Sequence, residues 1–437
     1  MLLRYNAGRS PVIVALKTEP RPLQIRLATV FYLAIGTLLI GNLGRIPIFS
    51  TGDRNVPILV NDLAVAALIG AGAVAMAGRR SLRLDWVAAF ALLFAGFGAL
   101  STALAVPRFD LPPFEALVSL AYLVRWLFYF AVYVVAINTL RSSDAGRVWR
   151  ALEWAILGFA IFGIVQAAFL PGFAQIVYPD SRPQLDWDPQ GHRLVSSFLD
   201  PNYAGAFINV GLLVYLSQMA VGARVKAWKP LVLGLAVVLT LSRSALLALV
   251  IGGMAILVIA GLSKRLVRAV GVAVVLVAVA SQPLLRYAAS FHKLSVTDRS
   301  ALDRLVSFAH GWTVLKDHWV IGVGFNTWGY VAERYGWLRS FTATYGLDGG
   351  LFFILVLTGV IGLALYLGIL WSVIRVARRV WRNPAMGPNE RGLAIGAAVS
   401  VPMIVVHSLF TNSLLLPFLM EPLWILWALP FVMMSES

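Results

Sequence analysis

The chain has 437 residues, of which 59% are hydrophobic and only 13% are charged, and apolar runs of about 20 residues recur along it. Runs of this length predict membrane-spanning helices, because a membrane β-strand needs only roughly 10 residues. No cysteine is present, which excludes disulfides, thiolate metal sites and a cysteine nucleophile. The net charge of +16 comes from short Lys and Arg clusters between apolar runs, which indicates membrane topology rather than nucleic-acid binding.

Taken in chain order, the apolar runs predict a polytopic helical bundle. The segment 1–26 is basic and lacks an apolar stretch followed by a small-residue cleavage site, so a cytoplasmic tail is expected rather than a signal peptide. Single spans are predicted at about 27–44, 56–78, 86–106, 116–140, 154–171, 203–221, 269–285, 346–372, 392–410 and 416–434.

The apolar run 231–262 is too long for one span. A single helix over it would be about 48 Å long, against a hydrocarbon core of about 30 Å. Short basic loops flank it at 223–229 and 263–268, and the positive-inside rule places both in the cytoplasm. The number of crossings between them must then be even. The run is therefore predicted to be a helical hairpin whose turn, "TLSRSA" (240–245), lies at the outer face.

With this hairpin, the sequence predicts an all-α integral membrane protein of about 12 transmembrane helices, with both termini in the cytoplasm. We expect one polytopic membrane domain over residues 1–437. Two outer segments exceed ordinary connection lengths, a first long loop at 172–202 and a large loop at 286–345. Within the second, "SALDRLVSFAHGWTVLKDHW" has apolar residues at near-helical spacing, which predicts a helix lying on the membrane surface.

Several polar side chains of the predicted outer face have the chemistry needed to act on a diphosphate. Arginine forks bind phosphate and diphosphate bidentately, and a nearby carboxylate or histidine can take the proton of an attacking hydroxyl. The five histidines form no spaced pair typical of a metal site. The candidates are Arg193, Asp200, Asn202, Arg243, Arg286, Arg299, Arg304, His310, His318, Asn326 and Asp348.

Two of the arginines also have structural interpretations. Arg243, at the hairpin turn, can extend to the lipid headgroups without binding any substrate. Arg125 lies about nine residues inside its span and is expected to face the interior of the bundle. There it either forms a structural ion pair or contacts the substrate.

Four stretches, in this order, resemble the bacterial O-antigen ligase and polymerase family, integral membrane glycosyltransferases that act on undecaprenyl-diphosphate-linked glycans. The resemblance covers roughly residues 190–370. The stretches are "SSFLDPNYAGAF" (196–207), with a Pro-Asn pair entering a span; "LTLSRSALLAL" (239–249), with a Thr-x-Ser-Arg hairpin turn; "RLVSFAHGWTVLKDHWVIGVGFNTW" (304–328), with Asp-His before a Gly-x-Gly turn; and "DGGLFFILVLTGVIGLAL" (348–365).

This resemblance implies a GT-C-like fold in the bacterial inner membrane, with the active site facing the periplasm. It implies metal-independent transfer, without a cofactor, of a glycan from undecaprenyl diphosphate to an acceptor hydroxyl. The acceptor would be a lipid-linked repeat unit or the lipid A core. Arg243 and Arg304 would hold the diphosphate. The residues expected to bind the substrates are Arg193, Asn202, Arg299, Asn326 and Arg125.

The chain departs from the family pattern at two positions. The ligase branch has a His-Asn pair where this chain has Asp348-Gly349, and the usual proline after Asp-His is Trp319. With an aspartate at this position, the chain resembles polymerase-like members of the family. This resemblance favours polymerisation of O-antigen or exopolysaccharide repeats. Asp348 is then either the catalytic base or only an N-cap at the start of a span.

Two other functions remain open at this stage. One is ligation of the glycan to lipid A core or protein, which uses the same donor chemistry. The other is transport of the lipid-linked sugar. Transporters place charged sites near the membrane midplane between internal repeats, whereas here the polar groups lie in outer segments and no repeat is visible.

Overall fold

The computed structural model describes residues 22–51, 54–77, 82–178, 192–261, 299–337 and 346–434. A two-stranded antiparallel ribbon is formed by β1 (Arg45–Thr51) and β2 (Arg54–Leu59). The helices are α1 (Pro22–Thr37), α2 (Val60–Ala77), α3 (Trp86–Phe109), α4 (Pro113–Thr139), α5 (Ser142–Phe169), α6 (Phe173–Val177), α7 (Pro201–Ala220), α8 (Trp228–Leu239), α9 (Arg243–Ala260), α10 (Arg299–His318), α11 (Trp328–Arg334), α12 (Gly350–Trp381), α13 (Pro388–His407) and α14 (Pro417–Met434).

The predicted all-α membrane architecture is confirmed. Within the described residues, nine helices are long and apolar enough to span a bilayer: α2, α3, α4, α5, α7, α9, α12, α13 and α14. Two shorter apolar helices, Leu27–Thr37 in α1 and Trp228–Leu239, add to them. The predicted span at 269–285 lies outside the described residues.

The predicted start of the second span is wrong, because β2 occupies the chain up to Leu59 and α2 begins at Val60. Pro57 explains the difference: a proline disfavours helical backbone at the residue before it. The first span also ends earlier than predicted, at Thr37. After it, the side chain of Asn42 donates a hydrogen bond to the Phe198 carbonyl (2.7 Å), so this connection is tied to the segment before α7.

The last helix, α14, lies at the centre of the bundle and contacts α4, α5, α7, α12 and α13. Nearly all of its side chains are buried, as expected for a helix that is apolar on every face. The ring of Trp424 packs edge-on against Phe130 at 5.2 Å and against Trp126 at 6.0 Å. This aromatic cluster fixes α4 against α14.

The predicted hairpin in 231–262 is present, since α8 ends at Leu239 and α9 begins at Arg243. Packing against α7 gives its direction. Gly205, near the start of α7, packs against Thr240 and Ala245 at the turn, whereas later in α7, Gly211 packs against Leu233. Leu213, further along α7, packs against Gly252 of α9. Both arms therefore run from the turn in the direction of α7, and the turn lies level with the start of α7.

Helix α12 is kinked at Gly359, where a loop that precedes α11 packs against it. Val323 N–H donates to the Val356 carbonyl (3.1 Å), and Gly324 N–H donates to that of Leu357 (2.9 Å). Beyond the kink, Val360 N–H donates to Trp319 (2.9 Å). Gly359 has a φ of 63°, and an added Cβ would lie 2.1 Å from the Val320 carbonyl oxygen. Only glycine fits here.

We predict that Gly359→Ala destabilises the protein by at least about 3 kcal/mol, because both the left-handed backbone and the contact with Val320 become unfavourable. The measurement is thermal unfolding in detergent, followed by size-exclusion chromatography. Gly234→Ala in α8 is the matched control, since no atom lies within 4 Å of an added Cβ there. A normal unfolding temperature for Gly359→Ala would contradict the described kink.

Candidate active site

The candidate site lies at one end of the bundle, where α7, α9, α12 and α14 begin and α13 ends; we refer to it as the site end. The segment 194–200 enters this end as irregular backbone, and all its residues are buried. Side chains satisfy its backbone groups: Gln166 Oε1 accepts from the N–H groups of Val195 (2.9 Å) and Ser196 (3.1 Å). Irregular backbone at membrane depth is stable only with such partners.

Asp200 ends this segment and caps α7. Its Oδ1 accepts from the backbone N–H groups of Asn202 (2.7 Å) and Tyr203 (3.1 Å), the usual arrangement of an N-cap aspartate. Burial raises the pKa of Asp200 above its ordinary value, while those two N–H groups and the charge of Arg193 oppose the shift. Asp200 therefore fixes the first turn of α7 in place.

The hairpin turn is bonded to the same first turn of α7. Asn202 Oδ1 accepts from Ser242 Oγ (2.7 Å) and lies 3.5 Å from Ser244 Oγ. Between these two serines stands Arg243, the half-buried first residue of α9. The structure thus brings Asn202 and the backbone of Arg243 together at the site end.

Arg193 contacts the hairpin turn from the other side. Its Nε donates to the Thr240 carbonyl (2.9 Å), and Nη2 lies 3.4 Å from the carbonyl of Leu241. These carbonyls follow the last turn of α8, where a cation is favoured by the helix dipole. Arg193 therefore stabilises the turn that carries Arg243. The guanidinium of Arg193 makes these contacts within the protein.

Asp348 lies just before α12 on the same end of the bundle. Its backbone N–H donates to Ser307 Oγ of α10 (2.7 Å), and its side chain is half-buried. The N-cap of α12 is Gly349, which makes no side-chain cap bond. Asp348 therefore lies where α10 packs against the start of α12.

Arg304 lies on the face of α10 that packs against α12. It precedes Ser307 by three residues and Phe308 by four, the spacing of neighbours on one helix face. Phe308 contacts Phe352 of α12 at 5.0 Å between ring centroids. Arg304 is half-buried, and its position one turn from Ser307 puts it on the side of α10 that faces the start of α12. The predicted helix in 286–345 is present as α10.

Arg125 lies in a separate part of the bundle and forms an ion pair. Its Nη2 lies 2.7 Å from Asp62 Oδ2, and the hydroxyl of Tyr129 donates to the same carboxylate. Next to it, Asn61 donates to Glu421. Of the two interpretations of Arg125, the structure shows the ion pair, which compensates both charges inside the bundle.

Within the part of the chain that the structure describes, Asn326 lies apart from this cluster. Asn326 has a left-handed φ of 56° in the loop before α11, and its carbonyl lies 3.4 Å from Ser119 Oγ of α4. Arg299 is the first residue of α10, and its side chain is outside the described residues. Arg286 also lies outside them.

Sequence reasoning missed a polar cluster between α13 and α14. His407, the last residue of α13, is fully buried together with Ser413 and the nearly buried Thr411. Thr411 and Ser413 both lie within hydrogen-bond distance of its Nδ1. The available signal was the polar sequence "HSLFTNS" (407–413) inside an apolar region. The predicted span 392–410 includes the first four of these residues.

The arrangement offers a carboxylate at the start of α12, a half-buried arginine on α10, which packs against α12, and a second half-buried arginine at the start of α9. A carboxylate accepts a proton and arginines stabilise a diphosphate leaving group, which together suit transfer of a group from a diphosphate to a hydroxyl.

Comparison with known proteins gives one family. Residues 231–367 match the family model described as O-antigen ligase. The match covers the hairpin with Arg243, α10 with Arg304 and the start of α12 with Asp348, and it ends inside α12. No curated protein matches the chain.

Proposed function

We propose that this protein, whose residues 231–367 match the O-antigen ligase family model, is a membrane glycosyltransferase that uses undecaprenyl-diphosphate-linked glycan as its donor. The acceptor is a sugar hydroxyl, and the product is polymerised O-antigen or exopolysaccharide. The reaction takes place at the periplasmic face of the inner membrane and uses neither a resident metal nor a cofactor. The chain adopts a GT-C-like arrangement around this site.

One observation carries the proposal: Asn202 accepts from Ser242 and lies beside Ser244, the two residues that flank Arg243. This contact holds the hairpin turn against the first turn of α7. Asp348 is held next to α10 by the hydrogen bond from its backbone N–H to Ser307 Oγ. The arginine and the carboxylate are therefore held at one end of the bundle by hydrogen-bonded protein, the preorganisation that electrostatic catalysis requires.

In the proposed reaction the acceptor hydroxyl oxygen attacks the anomeric carbon of the donor glycan. The bond between that carbon and the diphosphate oxygen breaks, and its electron pair leaves with the diphosphate. Asp348 accepts the hydroxyl proton, while Arg243 and Arg304 stabilise the negative charge of the departing diphosphate. Asn202 is proposed to orient the substrate near Arg243, and Arg193 contributes mainly by holding the hairpin turn.

The carboxylate at position 348 favours polymerisation over ligation in this proposal. The structure supports a chemical role for Asp348 because Gly349, and not Asp348, occupies the N-cap of α12. The acceptor is then the non-reducing sugar of a second lipid-linked unit. Vesicles supplied with purified lipid-linked repeat units, with or without lipid A core, distinguish the two outcomes by the size of the product.

We predict that Asp348→Asn folds normally but loses at least about 100-fold in polymer formation, because an amide cannot accept the hydroxyl proton. Polymer yield in vesicles is measured per amount of monodisperse protein. Asp110→Asn is the matched control, since Asp110 is an exposed residue in a surface ion pair with Arg334. Full activity of Asp348→Asn at normal expression would refute its role as the base.

We predict that Arg243→Lys and Arg304→Lys each lower the rate about 30-fold to 1,000-fold, equivalent to about 2 to 4 kcal/mol, although the positive charge is kept. A lysine cannot make the bidentate contact with a diphosphate. The assay is initial rate at saturating donor, and Arg334→Lys, at an exposed ion pair, is the control. If both lysine variants polymerise normally, neither arginine holds the leaving group.

The proposed orientation is tested by labelling single cysteines, since the native chain has none. Thr313 of α10 and Ala385 between α12 and α13 are both exposed. We predict that an impermeant maleimide added to spheroplasts labels Thr313→Cys, whereas Ala385→Cys reacts only after lysis. The reverse pattern would place the site end in the cytoplasm.

A further inference from the structure

The polar cluster at the end of α13 has no part in the reaction proposed above, yet it contacts the start of α12 and lies level with the start of α7, against which α13 packs. His407 is fully buried. Its Nδ1 lies 2.5 Å from Ser413 Oγ and 3.2 Å from Thr411 Oγ1, and these two hydroxyls lie 2.7 Å apart. The ring therefore closes the chain from 407 to 413 into one hydrogen-bonded turn, which we call the His407 turn.

The His407 turn caps α12. Gly350 N–H, at the first residue of α12, lies 2.5 Å from the Ser408 carbonyl and 3.2 Å from that of Thr411. The first N–H groups of a helix have no partner within it, and the N-cap residue Gly349 has no side chain to supply one. The shape of the His407 turn thus determines where α12 begins, two residues after Asp348.

The other nitrogen of the ring lies level with the first turn of α7. Gly396 of α13 packs against Val214 of α7 and Gly392 against Gln218, so α13 runs antiparallel to α7 and ends beside the start of α7. Nε2 of His407 is buried and makes no hydrogen bond with any described residue. When Nδ1 accepts from the Ser413 hydroxyl, the neutral ring carries its proton on Nε2, and that N–H is then a buried donor at the level of the first turn of α7.

We propose that His407 is a positioning residue that sets the first turn of α7, with Asn202, relative to the first turn of α12, with Asp348. It does so through its two ring nitrogens: Nδ1 shapes the turn that caps α12, and Nε2 is buried at the level of the first turn of α7. The inference rests on the proposed function only for its effect on catalysis, since the positioning itself is a property of the folded chain.

The two nitrogens can be tested separately by substitution. His407→Phe keeps a ring but removes both polar atoms. His407→Gln places an amide nitrogen near the position of Nε2 and removes the acceptor at Nδ1, and Ser413→Ala removes the partner of Nδ1 alone. Ser400→Ala is the control, because Ser400 is also buried in α13 and accepts from Trp427 Nε1 (2.9 Å) at a distance from the His407 turn.

Hydrogen exchange measured by mass spectrometry reports how stably the backbone hydrogen bonds of the two helix starts are formed, independently of activity. In His407→Phe we expect amide exchange at 200–206 and 348–353 to be about 10-fold faster than in wild type, the effect of losing one net hydrogen bond. His407→Gln and Ser413→Ala are expected to raise exchange at 348–353 only. Ser400→Ala is expected to change neither peptide.

The same variants are then assayed for polymer formation. We expect His407→Phe to lower kcat about 10-fold to 100-fold, because misplacement of a catalytic group is costly, with KM for the lipid-linked donor within about 3-fold of wild type. Unchanged exchange at both peptides in folded His407→Phe would overturn the inference, even if activity were lost. If His407→Phe does not fold, unchanged exchange in Ser413→Ala overturns it equally. Altered exchange in a protein whose wild type makes no polymer would refute the proposed function and support the positioning role.

Discussion

The site depends on one constraint: irregular backbone buried in a membrane protein must find every hydrogen-bond partner within the protein. The segment 194–200 enters the bundle without helical structure, and Gln166 supplies the acceptor for two of its N–H groups. The hairpin turn at 240–242 obeys the same rule, because Arg193 donates to its carbonyls. Each polar side chain that satisfies a buried turn also fixes the position of a helix start beside it.

The same rule applies to charge within the bundle. Arg125 is neutralised by Asp62, and Lys229 by Glu153, which also accepts from the Tyr215 hydroxyl. A buried charge without a partner is far more costly than a paired one. Ion pairs within the protein thus compensate the charges of Arg125 and Lys229. The half-buried arginines at the site end are Arg243, the first residue of α9, and Arg304, in the second turn of α10.

Much of the architecture could be predicted from the sequence, because span length and charge bias are properties of single segments. The hairpin in 231–262 follows from its length and its basic flanks alone. The ribbon of β1 and β2 was missed because its apolar residues continue into those of α2, and only Pro57 marks the boundary. The kink at Gly359 could not be foreseen, since it depends on a loop nearly forty residues earlier in the chain.

Part of the candidate site could also be predicted from single segments of the sequence. The stretches around Asn202, Arg243 and Asp348 are recognisable one at a time, and the structure places them at one end of the bundle. His407 was missed because its importance arises only from packing: a histidine at the end of an apolar helix gives no sign of which turns it contacts. For Arg125 the sequence left a structural ion pair and a substrate contact open, because its partner, Asp62, lies on another helix.

The loop before α11 limits where related chains can differ in length. Its amides at Val323 and Gly324 bond to carbonyls before the bend in α12, and its Trp319 carbonyl bonds to an amide after it. The spacing from 319 to 324 is therefore matched to the spacing from 356 to 360. After a one-residue insertion or deletion in either stretch, the three bonds could not all form together. These two short stretches should therefore keep a constant length in related chains.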